Sequence, residues 1–193
     1  VLPASTEEVQ QIVKLANRYE FPIVAFSNSQ TRSGPTKEGT VVIHTARMNK
    51  ILDIDEKNMS MTIQPFVDYG FIHHEASKRG LWLGGSGWHG AISRPCSQFT
   101  VAGMWQSDLK YCGLARNTLG LKMVLADGSL VRLGSAAVAG TGEIPFTEYF
   151  PGPNLMGIIK GSQGSRGIVV EITLKLHPWV GGYPLPEDAG RPC

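Results

Sequence analysis

Gly161-Ser162-Gln163-Gly164-Ser165-Arg166-Gly167 places three glycines at a spacing of three, directly before an alternating apolar run. Glycine reaches positive φ and lets backbone approach a ligand or a strand closely. After the turn, Ile168, Val170, Ile172, Leu174 and Leu176 recur at every second residue. That period predicts a strand over 167–176 with one buried face. A glycine turn feeding a strand can present backbone N–H groups to a phosphate or to a flat cofactor edge. A tight turn without any ligand satisfies the same pattern.

The rest of the chain supplies the frame. Its 193 residues suffice for one sizeable core or two small lobes. With 42% hydrophobic and 18% charged residues it reads as globular. The net charge of +2 comes from scattered residues, which argues against a nucleic-acid partner. No apolar run approaches the roughly 18 residues of a membrane span. The opening Val1-Leu2-Pro3-Ala4 has neither the charged region nor the apolar block of a signal peptide. Cys96, Cys112 and Cys193 are odd in number and form no CxxC. They read as structural or incidental thiols in a reducing compartment, so the expected location is cytoplasmic, with no metal site.

Ser5-Thr6-Glu7-Glu8 is a capping box for a helix over 6–20, which Pro22 stops. Residues 22–26, 41–44 and 59–64 read as short strands. Asp68 caps a helix running to about Lys78, with Gly80 past its end. Glycines and Pro95 break every period between residues 84 and 110. Asp127-Gly128 joins two apolar runs as a β-hairpin. Residues 136–154 read as a loop, and the Gly- and Pro-rich tail 179–193 as a linker. The order predicts an α+β fold in two lobes, about 1–64 and 65–178. His73-His74 are adjacent on a predicted helix and point apart, which suits groove packing better than a metal clamp. Trp82, Trp88, Trp105 and Trp179 read as core or interface anchors.

In this order, the opening Pro3 to Val24, the segment from Val41 to Ile54 with its stretch Arg47-Met48-Asn49-Lys50-Ile51-Leu52-Asp53-Ile54-Asp55, Tyr111 to Gly128, and Gly161 to Pro178 resemble the FAD-binding domain of the vanillyl-alcohol oxidase/p-cresol methylhydroxylase (PCMH-type) flavoprotein family. That family includes D-lactate dehydrogenases and glycolate oxidase flavin subunits. The resemblance implies a two-lobed domain clasping an extended, non-covalent FAD, and oxidation of a 2-hydroxy acid or activated alcohol. It implies a substrate-covering cap beyond Pro178, either truncated or on another subunit, and a cap-bearing or electron-accepting partner. The alternatives are a non-catalytic scaffold subunit of the same fold that has lost tight FAD binding, or a UDP-N-acetylmuramate dehydrogenase-type reductase.

Carried over by position, the resemblance assigns FAD contact to a first loop, Ser27, Asn28, Ser29, Gln30 and Thr31. It assigns contact also to Gly85, Ser86 and Gly87, to Thr100 and Gly103, to Tyr111 and Arg116, and to Gly161, Ser162, Gly164, Gly167 and Ile168. The first loop carries Ser and Asn where the family has glycines; Asn tolerates left-handed φ, and hydroxyls can bond phosphate. It has no histidine, which excludes a covalent flavin link through that loop. Phe66 stands where the family usually has glycine, and Cys112 replaces the glycine of a Tyr-Gly pair after a shortened 103–111 segment. His89 is the histidine expected closest to a flavin, and no residue of the chain reads as a catalytic base.

Overall fold

The computed structural model describes residues 1–26, 35, 37–84, 90–101, 108–149, 153–179 and 181. The fold is α+β. Helix α1 (Thr6–Tyr19) starts where the capping box places it: Ser5 Oγ accepts the Glu8 N–H at 3.3 Å. The Glu8 carboxylate reaches back to the Ala4 N–H at 2.8 Å. Val9, Val13 and Ala16 form its buried stripe, and Glu20 ends it in the left-handed region. Pro22 then redirects the chain into β1 (Ile23–Phe26), which pairs in parallel with β2 (Val41–His44).

Strands β3 (Ile51–Asp55) and β4 (Ser60–Ile63) make a hairpin. Helix α2 (Tyr69–Ser77) is capped by Asp68, whose carboxylate accepts the Phe71 N–H at 2.8 Å. After β5 (Leu81–Trp82) come α3 (Pro95–Val101) and α4 (Asp108–Tyr111). The Asp-Gly turn joins β6 (Thr118–Val124) to β7 (Leu130–Gly134), with Gly128 at φ +82. A short α5 (Met156–Ile159), then β8 (Ile168–Lys175) and β9 (His177–Pro178), complete the described elements.

The main sheet is antiparallel, in the order β3-β4-β8-β6-β7. It draws strands from both sides of residue 64. Beside it lie the two-stranded β1-β2 and β5-β9 sheets. The expectation of one buried face on the last strand is corrected: β8 is central and buried on both faces, with Val169 and Thr173 as enclosed as Val170 and Ile172. A bulge decides which core Val169 joins. Lys122 pairs with Glu171, but Met123 pairs with Val169, so Val170 is an extra residue in the ladder. Ile168 and Val170 turn into a small core with Val9, Val13, Ile43 and Val124. Val169, Ile172 and Leu174 join the larger core with Tyr69, Ile72, Phe99 and Met123. One strand therefore fastens both cores together.

Candidate functional site

Ligands collect outside the carboxyl ends of parallel strands, where the turns leave space. Here those ends are Phe26 on β1 and His44 on β2, with Thr45 following at once. Across from them stand Cys96, Ser97 and Thr100 of α3, and Gln163 and Gly164 of the glycine turn as it leads into Ile168. Together these walls enclose a crevice of about 40 Å³. That volume takes a few atoms of a ligand's edge, not a whole cofactor.

Chirality explains why the turn needs its sequence. Gly161, Gly164 and Gly167 sit at φ 76°, 82° and 143°, and Gln163 at 52°. An added Cβ on Gly167 would come within 2.6 Å of the Val124 carbonyl oxygen. The turn is tied to the end of α3: Gln163 N–H donates to Thr100 O at 2.9 Å, and Gly161 N–H to Phe99 O at 3.5 Å. Ser162 N–H donates to Ile159 O, and Ser165 N–H to Ser162 O, both at 3.0 Å. The amides of Gly161 and Ser162 are thus engaged within the protein, and both residues shape the turn. The Ser162 hydroxyl is buried without a hydrogen-bond partner. So is that of Thr45, a residue only 2% exposed.

The structure gathers Thr100, Gly164 and Ile168 at the crevice, with Gly161, Ser162 and Gly167 in the turn behind it. Tyr111 and Arg116 do not line it. The Tyr111 ring packs 4.8 Å from His177 and lies against Gly84, where an added Cβ would meet Tyr111 Cβ at 2.5 Å. Arg116 donates to Tyr149 Oη at 2.6 Å in a separate depression that Lys175 and Phe146 also line. Buried Asn117 organises the segment between them. Its Nδ2 donates to the carbonyls of Tyr111, Cys112 and Gly113 at 2.8, 3.2 and 3.3 Å. Its Oδ1 is then the acceptor for His177 Nε2–H at 2.8 Å. Ser27, Asn28, Ser29, Gln30, Thr31, Gly85, Ser86, Gly87, Gly103 and His89 lie outside the described residues.

Burial sets the titration of this region. The Cys96 thiol, fully enclosed, is pushed up to about 12 and stays protonated as a small apolar wall of the crevice. His177 is held below the ordinary histidine value by burial and then by the nearby Lys175 charge. His73 is also lowered by burial; it stacks on Trp82 at 4.0 Å and contacts Leu83 O at 3.1 Å. Trp82 in turn packs 4.8 Å from Trp179. Cys112 sits at φ +60, so the backbone at this position keeps the glycine-favouring conformation although the glycine is gone.

Sequence reasoning missed Thr45, which follows a strand with no pattern to mark it. It also missed a ring series beside the crevice. Phe26, His44 and Phe66 stand 5.1 and 5.2 Å apart, and the Arg94 guanidinium covers Phe66 at 3.7 Å. Phe66, noted only as a departure from glycine, lies between His44 and the Arg94 guanidinium.

Known proteins share this framework. A family model described as FAD binding domain matches residues 1–134. The chain is 28% identical over 180 residues to D-lactate dehydrogenase (cytochrome), mitochondrial, of Kluyveromyces lactis, covering 91% of this chain and 29% of that protein. It is 29% identical over 181 residues to glycolate oxidase subunit GlcD of Bacillus subtilis, covering 92% and 36%. The solved 4-ethylphenol oxidase from Gulosibacter chungangensis superposes with a TM-score of 0.80 at 29% identity, covering 92% of this chain and 34% of that one. The chain thus spans about a third of the length of the proteins it matches. Among the described residues, no helix is long and apolar enough to cross a membrane.

Proposed function

The chain belongs to the FAD-binding domain family, and from that premise we propose that it holds non-covalent FAD for a flavin-dependent oxidoreductase acting on a 2-hydroxy acid or an activated alcohol. One observation carries the reading: the glycine turn is hydrogen-bonded to the end of α3 at the carboxyl ends of β1 and β2, so positive-φ backbone meets a largely apolar crevice there that Thr45, Ser97 and Thr100 also line. The residues present fit a dinucleotide edge. Gly164 admits close backbone approach, Thr45, Ser97 and Thr100 bring hydroxyls, and none of the described residues that line the crevice is charged.

When bound, FAD supplies the acceptor for the hydride equivalent leaving the alcohol carbon. The chain's own part is binding and orientation. Thr100 and Gly164 flank the cofactor edge, Ile168 and Val169 give an apolar floor, and Gly161, Ser162 and Gly167 fix the turn. Ser27 to Thr31, Gly85-Ser86-Gly87, Gly103, Tyr111 and Arg116 are assigned FAD contact by the resemblance alone. Substrate groups and a base come from a cap, and electrons pass to a partner subunit. The cytoplasmic setting belongs to this proposal.

Titration of the chain with FAD, followed by flavin fluorescence and absorbance, tests the reading. Saturable, stoichiometric uptake that denaturation fully releases is the expected result. Absence of uptake overturns it and favours the scaffold subunit. The observations behind that second reading are the Ser and Asn residues of the first loop, where the resemblance expects glycines, and the shortened 103–111 segment.

A further inference from the structure

Buried hydroxyls in folded proteins nearly always have a partner, and one that lacks it points to a missing ligand or water. Thr45 Oγ1 is such an atom. The residue starts a single turn of 3-10 helix at the end of β2, where its backbone carbonyl accepts the Met48 N–H at 2.8 Å. Its side chain is left to line the crevice. Thr100 Oγ1 donates to Ser97 O at 2.9 Å, and the Cys96 thiol is enclosed and neutral. Among the described residues that line the crevice, Thr45 is the one whose buried polar atom lacks a partner.

We infer that the Thr45 hydroxyl is a positioning group for bound FAD, hydrogen-bonding a phosphate oxygen or sugar hydroxyl at the edge that enters the crevice. This rests on the FAD-holding role proposed above. A hydroxyl both donates and accepts, so it meets either group without a charge. A crevice of about 40 Å³ admits an edge of that size and excludes a ring system. The position is set by rigid elements: β2 carries Thr45 in, and the opposite wall is a helix end tied to a turn.

The test compares the full chain with Thr45→Val, which keeps the shape and removes the hydroxyl, and Thr45→Ser, which keeps the hydroxyl. FAD affinity is measured by titration, and the melting temperature without FAD by circular dichroism. Thr45→Val should weaken FAD binding about five- to tenfold, the size of one net hydrogen bond. Thr45→Ser should stay within about twofold of the parent by the same measure. Without FAD, Thr45→Val should melt no lower than the parent, because the hydroxyl it loses has no partner to leave behind. The inference is overturned if Thr45→Val binds FAD like the parent, or if its FAD-free form melts lower while Thr45→Ser does not. If the parent takes up no FAD, the holding role fails and the inference falls with it. Uptake by the parent with unchanged binding by Thr45→Val fails the inference alone.

Discussion

Gly167→Ala should be among the most damaging single-methyl additions in the chain. At φ +143 an alanine is strained whatever the space, at a cost of roughly 1–3 kcal/mol. The new Cβ would also stand 2.6 Å from Val124 O and 2.6 Å from Met123 Cε. The methionine can turn aside, but the carbonyl is part of the β6–β8 ladder and cannot. Such overpacking adds about 1–3 kcal/mol, so the sum is roughly 2–6 kcal/mol from a domain whose stability falls within about 5–15 kcal/mol. Gly164→Ala is the internal control. It lies in the same turn at φ +82 with nothing within 4 Å of the added atom, so only backbone strain of about 1 kcal/mol applies. Urea unfolding without FAD, followed by tryptophan fluorescence, measures both. Equal losses for the two variants, within about 0.5 kcal/mol, would refute the claim that the close approach to Val124 O makes Gly167 indispensable.

Cys112→Gly should stabilise the chain by about 0.5–1 kcal/mol, because it relieves a side chain held at φ +60 on an exposed residue; chemical denaturation measures the gain. Because burial holds His73 and His177 below the ordinary value of 6.5, the unfolded chain takes up their protons first. Stability should therefore be intact above pH 6.5 and decline as pH falls below it, and His177→Gln should flatten that decline in a pH series of melting temperatures. Thiol labelling with peptide mapping should modify Cys112 quickly and Cys96 only on unfolding, since Cys96 is enclosed and its thiol is pushed up to about 12.

The elements legible in the sequence are those whose signals are local. α1 carries its own capping box, α2 its Asp68 cap, and β6–β7 its Asp-Gly turn. α3 was hidden for a physical reason: Cys96, Ser97, Gln98 and Phe99 are all buried, so the helix has no polar face and no amphipathic period to read. The alternation along β8 suggested one core because the bulge at Val170, a property of its pairing with β6, leaves no trace in β8's own residues. At the site, the glycine turn announced itself through composition. Thr45 did not, since a lone threonine after a strand acquires its meaning only from what fails to pack against it. Tyr111 and Arg116 were assigned by resemblance alone, and their contacts with His177 and Tyr149 are tertiary, with no local signal in the sequence.

The central strand of the main sheet is also its last to be synthesised. β4 and β6 each pair with β8, and neither pairs with the other. Until residue 175 leaves the ribosome, the two hairpins β3–β4 and β6–β7 are separate, each with an open edge that a neighbouring nascent chain can occupy. Joining them requires β4 to find a partner more than a hundred residues downstream, as Thr62 against Thr173 shows. Contacts of that range fold slowly. The insertion of β8 is thus the step at which assembly commits, and translation that stalls before Ile168 would release a chain prone to aggregate.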